Sequence, residues 1–130
     1  MKILIAEDDL ASRKFLFKLL SKYGKCDLTI DGIEAMEAFA IAHDLGQPYD
    51  LLCLDIMMPK IDGLKVFKTI REYEEKQGLD DTKKCKVIIT SALSESEVAF
   101  DSPGTGNEVY ETKPIDSSRI KEALKKLKLI

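Results

Sequence analysis

Three acids, a hydroxyl and a lysine in this chain could do chemistry, and each follows a short apolar run. Ile3-Leu4-Ile5-Ala6 leads into Glu7-Asp8-Asp9, Leu51-Leu52-Cys53-Leu54 into Asp55, and Val109-Tyr110-Glu111-Thr112 into Lys113-Pro114. A fourth run, Val87-Ile88-Ile89-Thr90, ends in Ser91-Ala92. Carboxylates delivered to one place repel and desolvate one another unless a cation joins them. The set therefore reads as a metal-dependent site with a reactive aspartate.

Such a site needs elements that bring distant residues to one edge. The apolar runs read as strands, and helical periodicity fills the intervals between them. Leu10, Phe15, Leu16, Leu19, Leu20 and Tyr23 recur at helical spacing up to Gly24. Cys26 to Ile30 reads as a second strand, and Asp31-Gly32 as turn chemistry. Ile33 to about Asp44 predicts a helix with Ile33, Met36, Phe39 and Ala40 on one face. A third helix begins near Leu64 and continues to about Gln77. Ser94 to Phe100 predicts a short fourth helix, ended by Pro103. Asp116 or Ser117 caps a last helix, whose stripe is Ile120, Ala123, Leu124 and Leu127. Alternating strands and helices imply right-handed βαβ units. The expected fold is an α/β, doubly wound, five-stranded parallel sheet of flavodoxin-like order 2-1-3-4-5, with helices on both faces. That order makes the first and third strands neighbours, so Glu7, Asp8 and Asp55 converge.

Composition narrows the function classes. The chain has 130 residues, 45% hydrophobic and 33% charged, with a net charge of -3. This suits a single domain across residues 1–130, with no attached output domain. There is no overall basic footprint for direct nucleic-acid binding, no run long enough for membrane insertion, and no secretory signal at the N-terminus. The three cysteines are odd in number and widely spaced, which fits thiols in a reducing cytoplasm better than disulfides or zinc.

Taken together, these residues resemble the receiver domain of two-component response regulators, and the resemblance spans essentially the whole chain. Its carriers are Glu7-Asp8, Leu54-Asp55-Ile56-Met57-Met58-Pro59 with Asp62-Gly63, Ser91-Ala92, and Tyr110-x-x-Lys113-Pro114. The resemblance implies that Asp55 accepts a phosphoryl group from a phosphohistidine of a sensor histidine kinase or histidine phosphotransfer protein. It implies Mg²⁺ held by Glu7, Asp8, Asp55 and the backbone carbonyl of Met57. It places Ser91 and Lys113 on the phosphoryl oxygens and makes Ser91 and Tyr110 the switch pair. It also suggests a cis peptide before Pro114. For the hydroxyl, Ser91 lies 22 positions before Lys113 and fits the pattern better, with Thr90 as runner-up. The chemistry is coherent, because an ionised carboxylate needs no general base and a hard cation offsets charge on the transferring group.

Plainer roles compete at several positions. Asp9 reads as a helix start and Asp62-Gly63 as a turn before the third helix. Gly104-x-Gly106 reads as a turn, while Asp50 and Lys83-Lys84 read as solvated. Tyr110 could be an ordinary half-buried strand residue. Met57 and Leu93 lie two positions past Asp55 and Ser91 and are apolar, so neither can orient water; slow self-dephosphorylation is the expectation. The leading function is a stand-alone phosphoryl-accepting switch that signals to a downstream effector protein or passes the group on in a phosphorelay. Its alternatives are a Mg²⁺-dependent aspartyl-phosphate hydrolase and a degenerate receiver that serves only for docking.

Overall fold

The computed structural model describes residues 1–98, 100 and 104–130. Five parallel strands form one sheet: β1 (Lys2–Ala6), β2 (Lys25–Thr29), β3 (Leu51–Asp55), β4 (Lys86–Ser91) and β5 (Glu108–Thr112). Their order is β2-β1-β3-β4-β5, as the alternating pattern predicted. The described helices are α1 (Leu10–Leu20), α2 (Gly32–Asp44), α3 (Gly63–Lys76) and α4 (Ser117–Lys126). None of the described helices is long and apolar enough to cross a membrane.

Burial explains the strand sequences. β3 lies at the centre of the sheet and every one of its residues is buried, so its apolar run is continuous rather than alternating. One layer packs Ala35, Phe39, Val66 and Ile70 of α2 and α3 onto Leu52, Leu54, Val87 and Ile89. The other packs Leu16, Leu20, Ile120 and Leu124 of α1 and α4 onto Ile3, Ile5, Cys53 and Ile88. Odd and even strand positions thus serve opposite layers.

All four described helices start on aspartate. Asp9, Asp31, Asp62 and Asp116 each accept a hydrogen bond from the backbone N–H three residues on, at 2.8–3.0 Å. Each such cap stabilises its helix by about 1 kcal/mol. Three of these helices begin just past the strand ends that carry the acids and the lysine, so the caps also fix the loops of the site.

Some expectations fail for identifiable reasons. Among the described residues, Ser94 to Val98 forms a turn where a helix was expected. Val98 N–H reaches Ser94 O and Phe100 N–H reaches Glu95 O. Ser94 Oγ bonds Ser96 Oγ and accepts from Glu97 N–H as a capping side chain does, so these described residues carry the start of a helix without the helix. Ala99 and Pro103 lie outside the described residues. On α1, Leu10 and Phe15 point outward at 56% and 46% exposure, so the buried stripe is Leu16, Leu19 and Leu20. On α2, Ala35, Phe39 and Ala42 face the core, whereas Ile33 is exposed. Lys84 is not solvated: its side chain is largely covered and pairs with Glu75 and Asp81.

At the end of the sheet away from the acids, a buried ion network joins three elements. Arg71 of α3 donates to Glu74 Oε1 at 2.6 Å, to Cys85 O at 2.9 Å and to Glu108 Oε2 at 2.5 Å. Glu74 Oε2 in turn accepts from Cys85 N–H at 2.7 Å. The network ties α3 to the approach to β4 and the start of β5.

Candidate functional site

Strand register sets the site. Ala6 pairs with Leu54, so Glu7 and Asp55 stand level on adjacent strands. Asp55 pairs with Thr90, and Ser91 pairs with Thr112, the residue before Lys113. Carboxylate oxygens of Glu7, Asp8 and Asp55 all lie within 4.8 Å of one another. Glu7 and Asp55 are buried and Asp8 is exposed, so the cluster opens to solvent on one side. Lys113 Nζ bonds Glu7 Oε1 at 2.6 Å and lies 3.4 Å from Asp55 Oδ2.

The loops that carry these groups are pinned. Glu7 N–H donates to Thr29 O, and Arg13 Nη1 donates to the carbonyls of Glu7 and Asp8 at 3.0 and 3.2 Å. Met57 N–H donates to Asp55 Oδ1 at 3.0 Å, fixing the rotation of the carboxylate and leaving Oδ2 turned to the lysine. Gly63 N–H donates to Ile56 O at 2.9 Å. A Cβ on Gly63 would lie 2.4 Å from Ile56 Cα and 2.5 Å from Asp55 O, so only glycine lets α3 approach the loop this closely. The Lys113–Pro114 peptide is cis.

Electrostatics follow from burial and crowding. Burial and the neighbouring Asp55 push the Glu7 carboxyl up to about 7, against the opposing pull of Lys113. Burial alone would lower the Lys113 ammonium, but Glu7 and Asp55 outweigh it and raise it above the usual lysine value. The lysine therefore stays charged across the physiological range.

Ser91 and Thr90 are both fully buried, and they face opposite layers. Ser91 shares the face of Val87 and Ile89, on which Tyr110 also packs. Its Oγ accepts from Leu93 N–H at 3.0 Å, while Tyr110 Oη donates to Leu93 O at 2.7 Å. One residue, Leu93, thus joins the Ser91 hydroxyl to the tyrosine. Tyr110 continues into an aromatic row, with ring centroids 5.6 Å from Phe100, which is 5.7 Å from Phe67 of α3. Thr90 Oγ1 has no partner among the described residues.

A groove of 540 Å³ flanks the acids, lined by Glu7, Phe15, Leu16, Lys113, Pro114 and Ile115 among others. Met57 and Leu93 are exposed beside the site at 57% and 38%. Two supporting residues escaped the sequence reading. Glu111 and Arg119 each look like an isolated surface charge, and only the fold shows that they pair.

The family model of the response regulator receiver domain matches residues 3–125. The chain belongs to that family. It is 27% identical over 125 residues to the chemotaxis protein CheY of Treponema pallidum, across 95% of this chain and 79% of that protein. It is 30% identical over 134 residues to probable histidine kinase 2 of Oryza sativa subsp. indica, across 95% of this chain and 12% of the kinase. The receiver domain thus spans a small part of the histidine kinases it matches. Among solved structures, the CheX-CheY-BeF3-Mg complex of Borrelia burgdorferi aligns with TM-score 0.77 and 25% identity, over 95% of this chain and 86% of that one. A Saccharomyces cerevisiae receiver domain crystallised with a histidine phosphotransfer protein aligns with TM-score 0.73 at 20% identity, which shows the shared fold. Receiver domains serve two-component and phosphorelay signalling.

Proposed function

We propose that this receiver domain, across residues 1–130, is a phosphoryl-accepting switch with Asp55 as the acceptor. The observation that carries the reading is the Asp55 carboxylate itself. It is buried, rotationally fixed by Met57 N–H, close to two further acids and 3.4 Å from a charged lysine. In the transfer, an Asp55 oxygen attacks phosphorus of a partner's phosphohistidine. The P–N bond breaks, and the imidazole leaves with the electron pair and is left neutral or takes up a proton from solvent. No general base is needed, because the attacking oxygen is already anionic.

The donor set fits a hard divalent cation. Three carboxylate oxygens, of Glu7, Asp8 and Asp55, converge at one place; with the Met57 carbonyl they would hold Mg²⁺. Bound there, Mg²⁺ would offset negative charge on the phosphoryl oxygens. Lys113 supplies a second positive charge and the Ser91 hydroxyl a hydrogen bond.

Once Ser91 turns to a phosphoryl oxygen, its bond to Leu93 N–H is lost, and the anchor of Tyr110 on Leu93 O is disturbed. The phosphoryl group thereby favours a second arrangement of the β4 loop and β5. The partners are a sensor histidine kinase or a histidine phosphotransfer protein on the input side. On the output side stands an effector protein, or a further histidine in a relay. The setting is cytoplasmic, and neither nucleic acid nor membrane is a direct partner. The domain is consumed and reset once per signal and is not a turnover enzyme.

Intact-mass analysis after treatment with acetyl phosphate and Mg²⁺ tests the reading. One phosphoryl adduct is expected on the wild type and none on Asp55→Asn. Equal labelling of both proteins would refute the assignment of Asp55.

A further inference from the structure

Next to the acids, one side chain is engaged with unusual completeness. Arg119, in the first turn of α4, donates from Nε and Nη2 to Glu111 Oε2 at 3.1 and 2.6 Å. Its Nη1 donates to Thr112 O at 2.6 Å and to Pro114 O at 2.7 Å. Those two carbonyls belong to the residues on either side of Lys113. The Lys113 N–H is itself tied to Ser91 O at 2.7 Å. The backbone that carries the ammonium is therefore held from both directions, by β4 on one side and by a guanidinium on the other.

We propose that Arg119 is a positioning residue that keeps the Lys113 ammonium aimed at Asp55, an inference that rests on the phosphoryl-accepting reading above. Lysine is a point charge on a flexible four-carbon stem, so its reach depends on where its Cα is held. A planar guanidinium can bridge two carbonyls while a carboxylate sets its orientation, and hydrogen bonds from a charged donor are the stronger kind. Glu111 fills that orienting place: its side chain is 11% exposed and pairs with the arginine from the strand below. An ammonium at position 119 could not span the same three acceptors. Arg119 touches neither Asp55 nor any other carboxylate of the acid cluster, so its effect must pass through Lys113.

The test is the rate of phosphoryl uptake from acetyl phosphate with Mg²⁺, read by intact mass. It compares wild type, Arg119→Lys and Arg119→Gln, each with and without Lys113→Ala. Displacing a catalytic group by a fraction of an ångström to an ångström slows a reaction by about tenfold or more. Both single variants should therefore lose about tenfold in rate. In the Lys113→Ala background the same changes should have no further effect, because the group they position is gone. A loss confined to the proteins that keep Lys113 is a result that general loosening of the domain would not give. Wild-type uptake by Arg119→Lys, or an equal loss with and without Lys113, overturns the inference. Should circular dichroism show the Arg119 variants unfolded, Glu111→Gln releases the guanidinium with little change of volume and decides by the same comparison. Labelling of wild type and Arg119→Lys at one rate refutes only this inference. No adduct on the wild type refutes the acceptor reading as well.

Discussion

Replacing Arg71 by methionine isolates the energetics of the ion network at the far end of the sheet. The change removes a cation bonded to two carboxylates whose side chains are each 1% exposed, while roughly keeping the alkyl volume. The wild-type guanidinium is held above its usual range: burial pulls it down, but Glu74 and Glu108 more than compensate. Without it, two buried acids face each other with no counter-charge. Removing one partner of a buried pair costs about 3–5 kcal/mol. For 130 residues, an unfolding entropy of about 2.1 cal/mol/K per residue gives roughly 0.27 kcal/mol/K, so Tm should fall by about 11–18 °C. The deficit should shrink in acid, because an unpaired buried carboxylate prefers its neutral form and is protonated there at little cost. A further Glu74→Met, Glu108→Met pair in the same protein should recover most of the loss, since an apolar replacement of the whole network is often neutral. Differential scanning calorimetry at pH 5 and pH 7.5 measures all three effects. A single variant that melts within about 2 °C of wild type at pH 7.5 would refute the reasoning.

Two more outcomes bear on the acid site. Glu7, pushed up to about 7 by burial and then Asp55, must be ionised to bind a cation, so Mg²⁺ binding at neutral pH should expel roughly half a proton. Affinity should rise with pH through that region, as calorimetry in buffers of different ionisation heat would report; affinity flat from pH 6 to 8 contradicts it. In the metal-free protein, the raised carboxyl favours the native state below its unfolded value, and that stability is lost as pH rises toward 7. Finally, the apolar, exposed Met57 and Leu93 cannot hold a hydrolytic water. The double variant Met57→Asn, Leu93→Glu should lose phosphate roughly tenfold faster than wild type, measured as decay of the intact-mass adduct, and decay no faster than wild type counts against the idea.

The fold was legible because its strands are short, apolar and bounded by aspartate, glycine and proline. Leu51 to Leu54 read as a buried strand, and Asp9 and Asp116 as helix starts, whereas Asp31 and Asp62, read only as turn residues, prove to be caps as well. Glu7, Asp8, Asp55 and Lys113 were legible because strand ends in such a sheet share one edge. Side-chain direction was harder to read: Leu10, Phe15 and Ile33 fit an apolar stripe by spacing but are exposed. Ser94 to Phe100 misled because Ser94 does start like a capped helix, with Glu97 N–H on its Oγ and Val98 N–H on its carbonyl, but among the described residues only a turn follows. The pairs Arg71 with Glu108 and Arg119 with Glu111 were invisible. Charges on separate elements leave no periodic trace, and each reads as solvated until the packing is known.

The lysine beside Glu7 makes the acid pocket a partly balanced account even before anything binds. Three carboxylates against one ammonium leave two units of negative charge when all are ionised. An ion of charge two brings that sum to zero, whereas sodium or potassium would leave it half unmet and a trivalent ion would overshoot. The pocket is thus matched to a valence as well as to oxygen-seeking chemistry. With the cation in place, an incoming dianion meets a neutral surface in place of a repelling one.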